Sequence, residues 1–302
     1  MVKIYHIPVL LKETIDFLKI KKDGIYIDAT CGEGGHSFEI LKYLGIEGRL
    51  ICIDRNKEIL EIARERLSEF KNVHFYNTSF DRIKDILKDE NLSEVDGIIA
   101  DLGVSMFHLK ESSNLKLGIS YNDETSLDMR LDEEENIRAY DVVNKFREDE
   151  IAKILYEYGE EAEAKRIAKE ICRRRPIKNS KELADIIFKV KRERKKNIHP
   201  ATKSFQALRI FVNKDLKKLE SFIHHSVDIL SENGRVVVIS YHSLEDRIVK
   251  QGFKELEKGG MGRVLTKKVI KPSEEEISFN KSARSARMRV FERMKTLEGF
   301  DE

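Results

Sequence analysis

Short apolar runs alternate with segments of helical periodicity through the first hundred residues. Each run is rich in Val, Ile or Tyr, and the apolar residues after it are spaced for one face of a helix. Strands separated by helices predict a parallel sheet with helices packed on it, which is an α/β fold. The predicted strands are residues 25–27, 48–53, 73–76, 95–100 and 235–240. An amphipathic helix ending at Leu18 is predicted before them, and the helices predicted between the first four strands are residues 37–43, 57–70 and 83–87.

This pattern is interrupted between residues 107 and 201. Residues 107–132 have the composition of an irregular loop, and residues 133–200 show helical periodicity without a strand signal. A helix over 204–230 resumes the first pattern, and the tail at 280–290 is expected to end in an edge strand. The sequence therefore predicts one α/β domain, residues 1–106 and 202–302, with an inserted all-helical domain, residues 107–201. Its helices are expected at 140–144, 148–158, 162–174 and 181–190.

Composition narrows the class of protein. Forty per cent of the 302 residues are hydrophobic and 36 % are charged, which is typical of a globular protein. No apolar run approaches the roughly 20 residues of a membrane helix, and the N-terminus does not resemble a signal peptide. Cys31, Cys52 and Cys172 occur singly, which argues against a metal site or a disulfide framework. We expect a cytoplasmic protein with no membrane partner.

Charge is divided along the helical segment. Residues 133–163 contain eleven acidic and four basic side chains, whereas residues 165–203 contain four acidic and fifteen basic ones. The basic stretch is either a solvated helix face or a surface for a polyanion, because Lys and Arg replace the counterions of phosphates. We predict contacts to an RNA backbone. The residues that carry this prediction are Arg173, Arg174, Arg175, Lys191, Arg192, Arg194, Lys195 and Lys196.

A glycine cluster follows the first predicted strand. Asp28 ends the strand, and Gly32, Gly34 and Gly35 form a turn before the next helix. Strand, glycine turn and helix N-terminus are typical of a nucleotide-type site. A dinucleotide fingerprint needs a third glycine where Ser37 stands, and no phosphate-binding Gly-Lys-Ser/Thr string occurs. The pattern favours S-adenosylmethionine, which carries an ammonium and no phosphate; the alternative is a plain tight turn.

Three further residues follow the ends of predicted strands. Asp54 ends the second strand at the distance expected of a ribose-binding carboxylate. Phe80 follows the third strand and either covers an adenine or packs in the core. Asp101 ends the fourth strand, where such enzymes present the group to be modified. Because ligands bind at the carboxyl ends of parallel strands, we expect Asp28, Asp54, Phe80 and Asp101 to converge on one crevice.

Several strings spread over nearly the whole chain carry a family resemblance. They are HIPVLLKE at 6–13, DATCGEGGHS at 28–37, DLGVS at 101–105, LDMR at 127–130, YGEE at 158–161, HPAT at 199–202, FQALR with VN at 205–213, HSLEDR at 242–247 and SARMR at 285–289. Together they resemble the S-adenosylmethionine-dependent methyltransferases called RsmH or MraW. That family methylates a cytidine in the decoding region of bacterial 16S ribosomal RNA. The resemblance implies a Rossmann-like class I methyltransferase fold.

The resemblance also implies site residues. The inserted helical domain is expected to help hold RNA, and the partner is small-subunit ribosomal RNA or the assembled subunit. One departure falls at residues 105–110, where His108 stands in place of the family's cofactor-binding glutamine. Leu117 and Ser126 also differ from the residues usual in the family. These changes cluster in the loop expected to cover the active site, so we expect them to affect the choice of RNA target and not the chemistry. The implied cofactor contacts are Gly34, Gly35, His36, Asp54, Phe80 and Asp101.

The expected chemistry is methyl transfer to the N4 amine of cytosine. That amine is a poor nucleophile because its lone pair is delocalised into the ring. We expect Asp101 to accept an amine proton, with Ser105 as the second catalytic residue, and the reaction needs no metal. His242 is a further candidate near the site, with a structural role as the favoured interpretation.

Other functions stay open from the sequence. They are a nicotinamide-linked dehydrogenase, a methyltransferase for another RNA, a protein or a small molecule, and a non-catalytic ribosome-assembly factor. The missing third glycine argues against the first, and the basic insert argues against a protein or small-molecule substrate. The oligomeric state is left open.

Overall fold

The protein is described here from a computed structural model, in residues 7–103, 117–121, 124–132, 135–191 and 199–294. It divides into two compact units. The first unit is Met1–Gly103 with Leu216–Glu302, and the second is Val104–Asp215. The chain thus returns to the first unit later than the predicted boundary at residue 202. The reason is that the helix Thr202–Asn213 buries Phe205 and Leu208 in the core of the second unit.

A seven-stranded sheet forms the centre of the first unit. The described strands are β1 (Ile25–Asp28), β2 (Arg49–Asp54), β3 (Val73–Asn77), β4 (Val95–Asp101), β5 (Leu230–Ser240), β6 (Gly262–Val264) and β7 (Arg287–Arg293). Their order is β3-β2-β1-β4-β5-β7-β6, with β1 to β5 parallel and β7 antiparallel to both neighbours. The predicted Rossmann-like α/β fold is confirmed. The predicted edge position of the last strand is wrong, because β7 lies between β5 and β6.

Strand residues alternate between two apolar cores, one on each face of the sheet. Ile27 and Ile51 belong to one core, whereas their neighbours Tyr26 and Leu50 belong to the other. This alternation follows from the two-residue period of a strand. Both faces are covered by helices, so the strands appear in the sequence as continuous apolar runs. The described helices of this unit are α1 (Leu11–Leu18), α2 (Gly35–Tyr43), α3 (Lys57–Arg66), α4 (Ile83–Asp89), α10 (Asp215–Asp228, which begins at the unit boundary), α11 (Ser243–Lys258) and α12 (Glu274–Phe279).

The regular secondary structure of the second unit, in its described residues, consists of helices. Its helices are α5 (Ala139–Lys145), α6 (Glu148–Gly159), α7 (Ala164–Arg173), α8 (Ser180–Val190) and α9 (Thr202–Asn213). The prediction of one continuous helix over 204–230 is wrong. Lys214 adopts a left-handed conformation (φ 53°) and ends α9 before α10 begins.

Asn213, the last residue of α9, fixes an irregular segment of the second unit. Its side chain is fully buried. Its Oδ1 accepts a hydrogen bond from Leu131 N (2.8 Å), and its Nδ2 donates to Met129 O (2.8 Å). Arg130 Nε donates to Asp128 Oδ1 (2.7 Å) within the same segment. The VN string therefore holds the backbone of the LDMR segment in place through the Asn213 side chain.

Candidate functional site

The glycine turn connects β1 to α2 at the carboxyl edge of the sheet. Cys31 N, inside the turn, donates to Ile53 O (2.8 Å) and extends the strand pairing. Gly34 has φ 76°, and a Cβ there would lie 3.3 Å from Leu67 Cδ1, so a side chain is disfavoured on both counts. Gly34 is also the N-cap of α2, whose first backbone amides lack partners within the helix. The turn therefore offers backbone donors to a ligand.

Asp54 holds the glycine turn from the end of β2. Its Oδ2 accepts a hydrogen bond from Gly32 N (2.9 Å), and its Oδ1 accepts one from Asn56 N (2.9 Å). Burial raises the pKa of the Asp54 carboxyl, and the two backbone donors oppose that rise. Each carboxylate oxygen can accept a second hydrogen bond. Asp54 can therefore hold the turn and still accept a ribose hydroxyl.

Asp28 lies beneath the turn and is only 1 % exposed. Its Oδ2 accepts a hydrogen bond from Ser37 Oγ (2.6 Å), and its Oδ1 accepts one from Thr30 N (3.3 Å). Burial raises the pKa of Asp28, and the neighbouring His36 and Ser37 oppose the rise. The carboxylate thus organises the turn from the inside and offers little surface to a ligand.

Asp101 and His36 lie side by side next to the turn. His36 Nε2 lies 3.0 Å from Val9 O and donates to it, because a carbonyl oxygen only accepts, and Nδ1 lies 4.0 Å from Asp101 Oδ2. Asp101 N donates to Thr30 Oγ1 (2.6 Å), which ties the end of β4 to the loop after β1. The Asp101 side chain is 18 % exposed. It is therefore the more accessible of the two carboxylates, Asp28 and Asp101.

Tyr241, the first residue after β5, is a site residue that the sequence analysis missed. Its hydroxyl lies beside the Asp101 carboxylate, and burial together with this neighbouring negative charge raises the pKa of Tyr241 well above its usual range. The hydroxyl therefore stays protonated and remains a donor. A Cβ at Gly103 would lie 2.9 Å from Tyr241 Cε2, so the close approach of the ring requires glycine there. The available signal was its position at the carboxyl end of a parallel strand.

Phe80 and His242 take internal positions. Phe80 is buried in the core and packs edge-on against Phe222, with ring centroids 5.3 Å apart. The sequence left two interpretations of Phe80 open, adenine binding and core packing. These contacts match core packing. His242 is the N-cap of α11, where its Nδ1 accepts a hydrogen bond from Glu245 N (3.3 Å). That is the structural role favoured for this histidine.

The basic residues of the second unit divide into exposed and internal ones. Arg173 and Arg174 are exposed at the end of α7, and both pair with Glu170. Arg175 instead points inward, since its Nε donates to Val143 O (2.7 Å) near the end of α5. The first two can therefore meet a phosphate, whereas the third stabilises the end of a helix.

Lys191 was predicted to contact an RNA phosphate, but its ammonium group is bound inside the protein. Its Nζ donates to Glu161 Oε2 (2.9 Å) and to Pro200 O (3.1 Å). The Lys191 side chain is 13 % exposed and that of Glu161 is 2 % exposed, so the ion pair is largely buried. The ammonium compensates a buried carboxylate and is not presented to solvent.

Replacing Lys191 by alanine is expected to lower the free energy of unfolding by about 2 kcal/mol, because it leaves the Glu161 carboxylate buried without its cation. Urea denaturation of the purified protein measures the change. Lys189→Ala, an exposed lysine of α8, is the matched control and should change it by less than about 0.5 kcal/mol. Equal stability of the two variants would show that the pair contributes nothing.

Six predicted site residues lie outside the described part of the chain. They are Ser105, His108, Arg192, Arg194, Lys195 and Lys196. Their roles stay predictions. Within the described residues, no helix is long and apolar enough to cross a membrane.

Comparison with known proteins gives matches over nearly the whole length. Residues 3–294 match the MraW methylase family. A Clostridium botulinum (strain Kyoto / Type A2) protein named ribosomal RNA small subunit methyltransferase H is 46 % identical, covering 94 % of this chain and 97 % of that protein. A protein of the same name from Caldicellulosiruptor saccharolyticus is 43 % identical, covering 96 % of this chain and 99 % of that protein. Among solved structures, an rRNA methylase from Streptococcus thermophilus aligns with a TM-score of 0.44 at 12 % identity, covering 98 % of this chain and 99 % of that one.

Proposed function

We propose, since this chain belongs to the MraW methylase family, that it methylates the exocyclic amine, N4, of a cytidine in the decoding region of 16S ribosomal RNA. The reaction would take place in the cytoplasm, on the ribosomal RNA or the assembled small subunit. The observation that carries the proposal is the partly exposed Asp101 carboxylate, which lies at the end of β4 beside the glycine turn. A carboxylate in that place can accept a proton from an amine.

The cofactor is S-adenosylmethionine, which supplies an activated methyl group on a sulfonium when it is bound. The residues of the turn fit this molecule. Because Gly34 has no side chain, a ligand can approach the start of α2 closely, and each oxygen of Asp54 can accept a further hydrogen bond from a ribose hydroxyl. Asp101 provides negative charge for the ammonium group and could serve both the cofactor and the reacting base.

Asp101 would hold the target amine and take one of its protons. Accepting a hydrogen bond from the amine localises the nitrogen lone pair, so the nitrogen becomes a better nucleophile. The hydrogen bond from Gly103 N (3.3 Å to Oδ1) and the neighbouring Tyr241 hydroxyl orient the carboxylate. Ser105 is proposed as a second acceptor. The base must leave its stack to reach this edge, so the target is single-stranded or locally opened RNA.

The position of the Tyr241 hydroxyl beside Asp101 predicts a measurable effect on rate. Tyr241→Phe should lower the methyl-transfer rate constant about tenfold, with unchanged affinity for S-adenosylmethionine, because Asp101 loses the hydroxyl beside its carboxylate. Single-turnover rates and cofactor titration measure the two quantities. Tyr76→Phe also removes a tyrosine hydroxyl beside a carboxylate, one that donates to Glu90 Oε1 (2.7 Å) away from the site. A Tyr241→Phe rate equal to that of Tyr76→Phe would exclude the orienting role.

The second unit is proposed to hold RNA phosphates. The exposed Arg173 and Arg174 are the described residues suited to this role, because Arg175 and Lys191 are engaged internally. Such contacts give salt-sensitive affinity without sequence choice. Arg192, Arg194, Lys195 and Lys196 complete the proposed set.

The deciding experiment is transfer of a labelled methyl group to small ribosomal subunits that lack the modification, with naked 16S rRNA in parallel. Nuclease digestion and mass spectrometry then locate the product. We expect one methyl group on the N4 of a decoding-region cytidine. Label on another base or another RNA would redirect the target. Bound cofactor without any transfer would favour a non-catalytic assembly factor.

A further inference from the structure

A basic loop precedes β7 at the same edge of the sheet as the glycine turn. The 3-10 turn Lys281–Ser285 leads into β7, whose first residue, Arg287, pairs with Ser240 at the end of β5. On the other side of β5, Ile239 pairs with Asp101. Neighbouring strands are about 4.8 Å apart, so the start of β7 is two strands, or about 10 Å, from Asp101.

The loop is fixed in place by small buried residues and by one amide. Ala283 and Ala286 are buried in the core of the first unit. Asn280 is also buried, and its Nδ2 donates to Ile7 O (3.0 Å) in the segment before α1. The same segment accepts the hydrogen bond from His36. The loop and the glycine turn therefore share a support.

The loop presents one aromatic and two cationic side chains to solvent. Phe279, the last residue of α12, is 61 % exposed. Lys281 and Arg284 are exposed, and neither forms an ion pair with another described residue. The acidic residues Glu274, Glu275 and Glu276 lie in the first turn of α12, a helix about 9 Å long, and Glu276 Oε1 accepts a hydrogen bond from Leu10 N (2.8 Å). Within the described residues, none of these carboxylates forms an ion pair with Lys281 or Arg284.

We propose that Phe279, Lys281 and Arg284 bind the single-stranded RNA next to the target nucleotide. An exposed aromatic ring beside cations is the arrangement that binds unpaired strands, because the ring stacks on a base and the cations meet phosphates. A strand that delivers a base to Asp101 passes this loop within a few nucleotides. The catalytic unit thus holds part of the RNA itself. This inference rests on the proposed function.

The two cations predict a change in salt dependence. The Lys281→Ala/Arg284→Ala protein loses two phosphate contacts. The slope of log RNA affinity against log salt concentration should therefore fall by about 1.4, and the RNA affinity should fall about 25-fold at 0.1 M salt. The probe is the acceptor that the wild-type protein methylates, either small subunits or naked 16S rRNA. Lys22→Ala/Lys71→Ala is the matched control, because these exposed lysines precede β1 and β3 at the opposite edge of the sheet.

The aromatic residue predicts a different signature. Phe279→Ala should weaken RNA binding about tenfold at every salt concentration, with the slope unchanged, because stacking releases no counterions. Tyr43→Ala is its control, since Tyr43 is a half-exposed aromatic at the end of α2. Cofactor affinity and melting temperature should be the same in all variants.

The outcomes separate this inference from the function on which it rests. Wild-type binding and methyl transfer, with variants indistinguishable from their controls, would overturn the loop as an RNA contact and leave the proposed function intact. A wild-type protein that neither binds nor methylates any ribosomal RNA would overturn both. Loss of RNA affinity confined to the loop variants, with the predicted difference in salt slope, would support the inference.

Discussion

An Asp101→Asn protein is expected to transfer methyl groups about 10²- to 10⁴-fold more slowly than the wild type while still binding S-adenosylmethionine. The amide has the same shape and keeps one carbonyl oxygen for the donor Gly103 N. It cannot take a proton from an amine at neutral pH. Single-turnover rates at saturating cofactor, on the acceptor identified above, measure the effect directly.

Asp96→Asn is the matched control for this experiment because Asp96 lies near the start of the same strand. Its Oδ2 accepts a hydrogen bond from Ile25 N (2.9 Å), and its Oδ1 accepts one from Lys21 Nζ (2.7 Å). The substitution removes comparable bonds at the amino edge of the sheet, away from the turn. Full turnover by the Asp101→Asn protein would exclude Asp101 as the acceptor. Loss of cofactor binding would show that holding the cofactor is its main role.

The residues of the site could be predicted from the sequence where a local pattern, a strand and the residue that follows it, marks them. Each parallel strand is an apolar run that ends in a polar residue, and the parallel arrangement carries those ends to one edge. Asp28, Asp54 and Asp101 were found in this way. Tyr241 follows a strand by the same rule, yet its importance depends on its position beside Asp101, which the sequence does not display.

The errors came from features without a local signal. Lys214 ends α9 in a left-handed conformation that usually marks glycine, so the helix looked continuous. The β6 strand has three residues, too few to show a period, and its absence from the prediction left β7 at the edge. Lys191 begins a basic run, and its partner Glu161 lies thirty residues earlier. Such long-range pairs arise from packing.

Replacing Asp54 by asparagine is expected to weaken S-adenosylmethionine binding about 10²- to 10³-fold, which corresponds to the loss of one backbone hydrogen bond and one ribose hydrogen bond to a charged group. Both carboxylate oxygens accept backbone N–H groups, from Gly32 and Asn56. An asparagine side chain has one oxygen, so its NH₂ group must face one of these donors. The glycine turn then loses the anchor that sets its conformation.

Calorimetric or fluorescence titration with S-adenosylmethionine measures this effect, and Asp96→Asn again serves as the control, since it should leave cofactor affinity unchanged. The melting temperature distinguishes a local change in the turn from general unfolding. A protein that is folded and has lost cofactor affinity would show that Asp54 acts through the turn and the ribose together. Retained affinity would mean that Gly32 and Asn56 keep the turn in place without the carboxylate. In that case the rest of the backbone pairing, from Cys31 N to Ile53 O, is sufficient to hold the site.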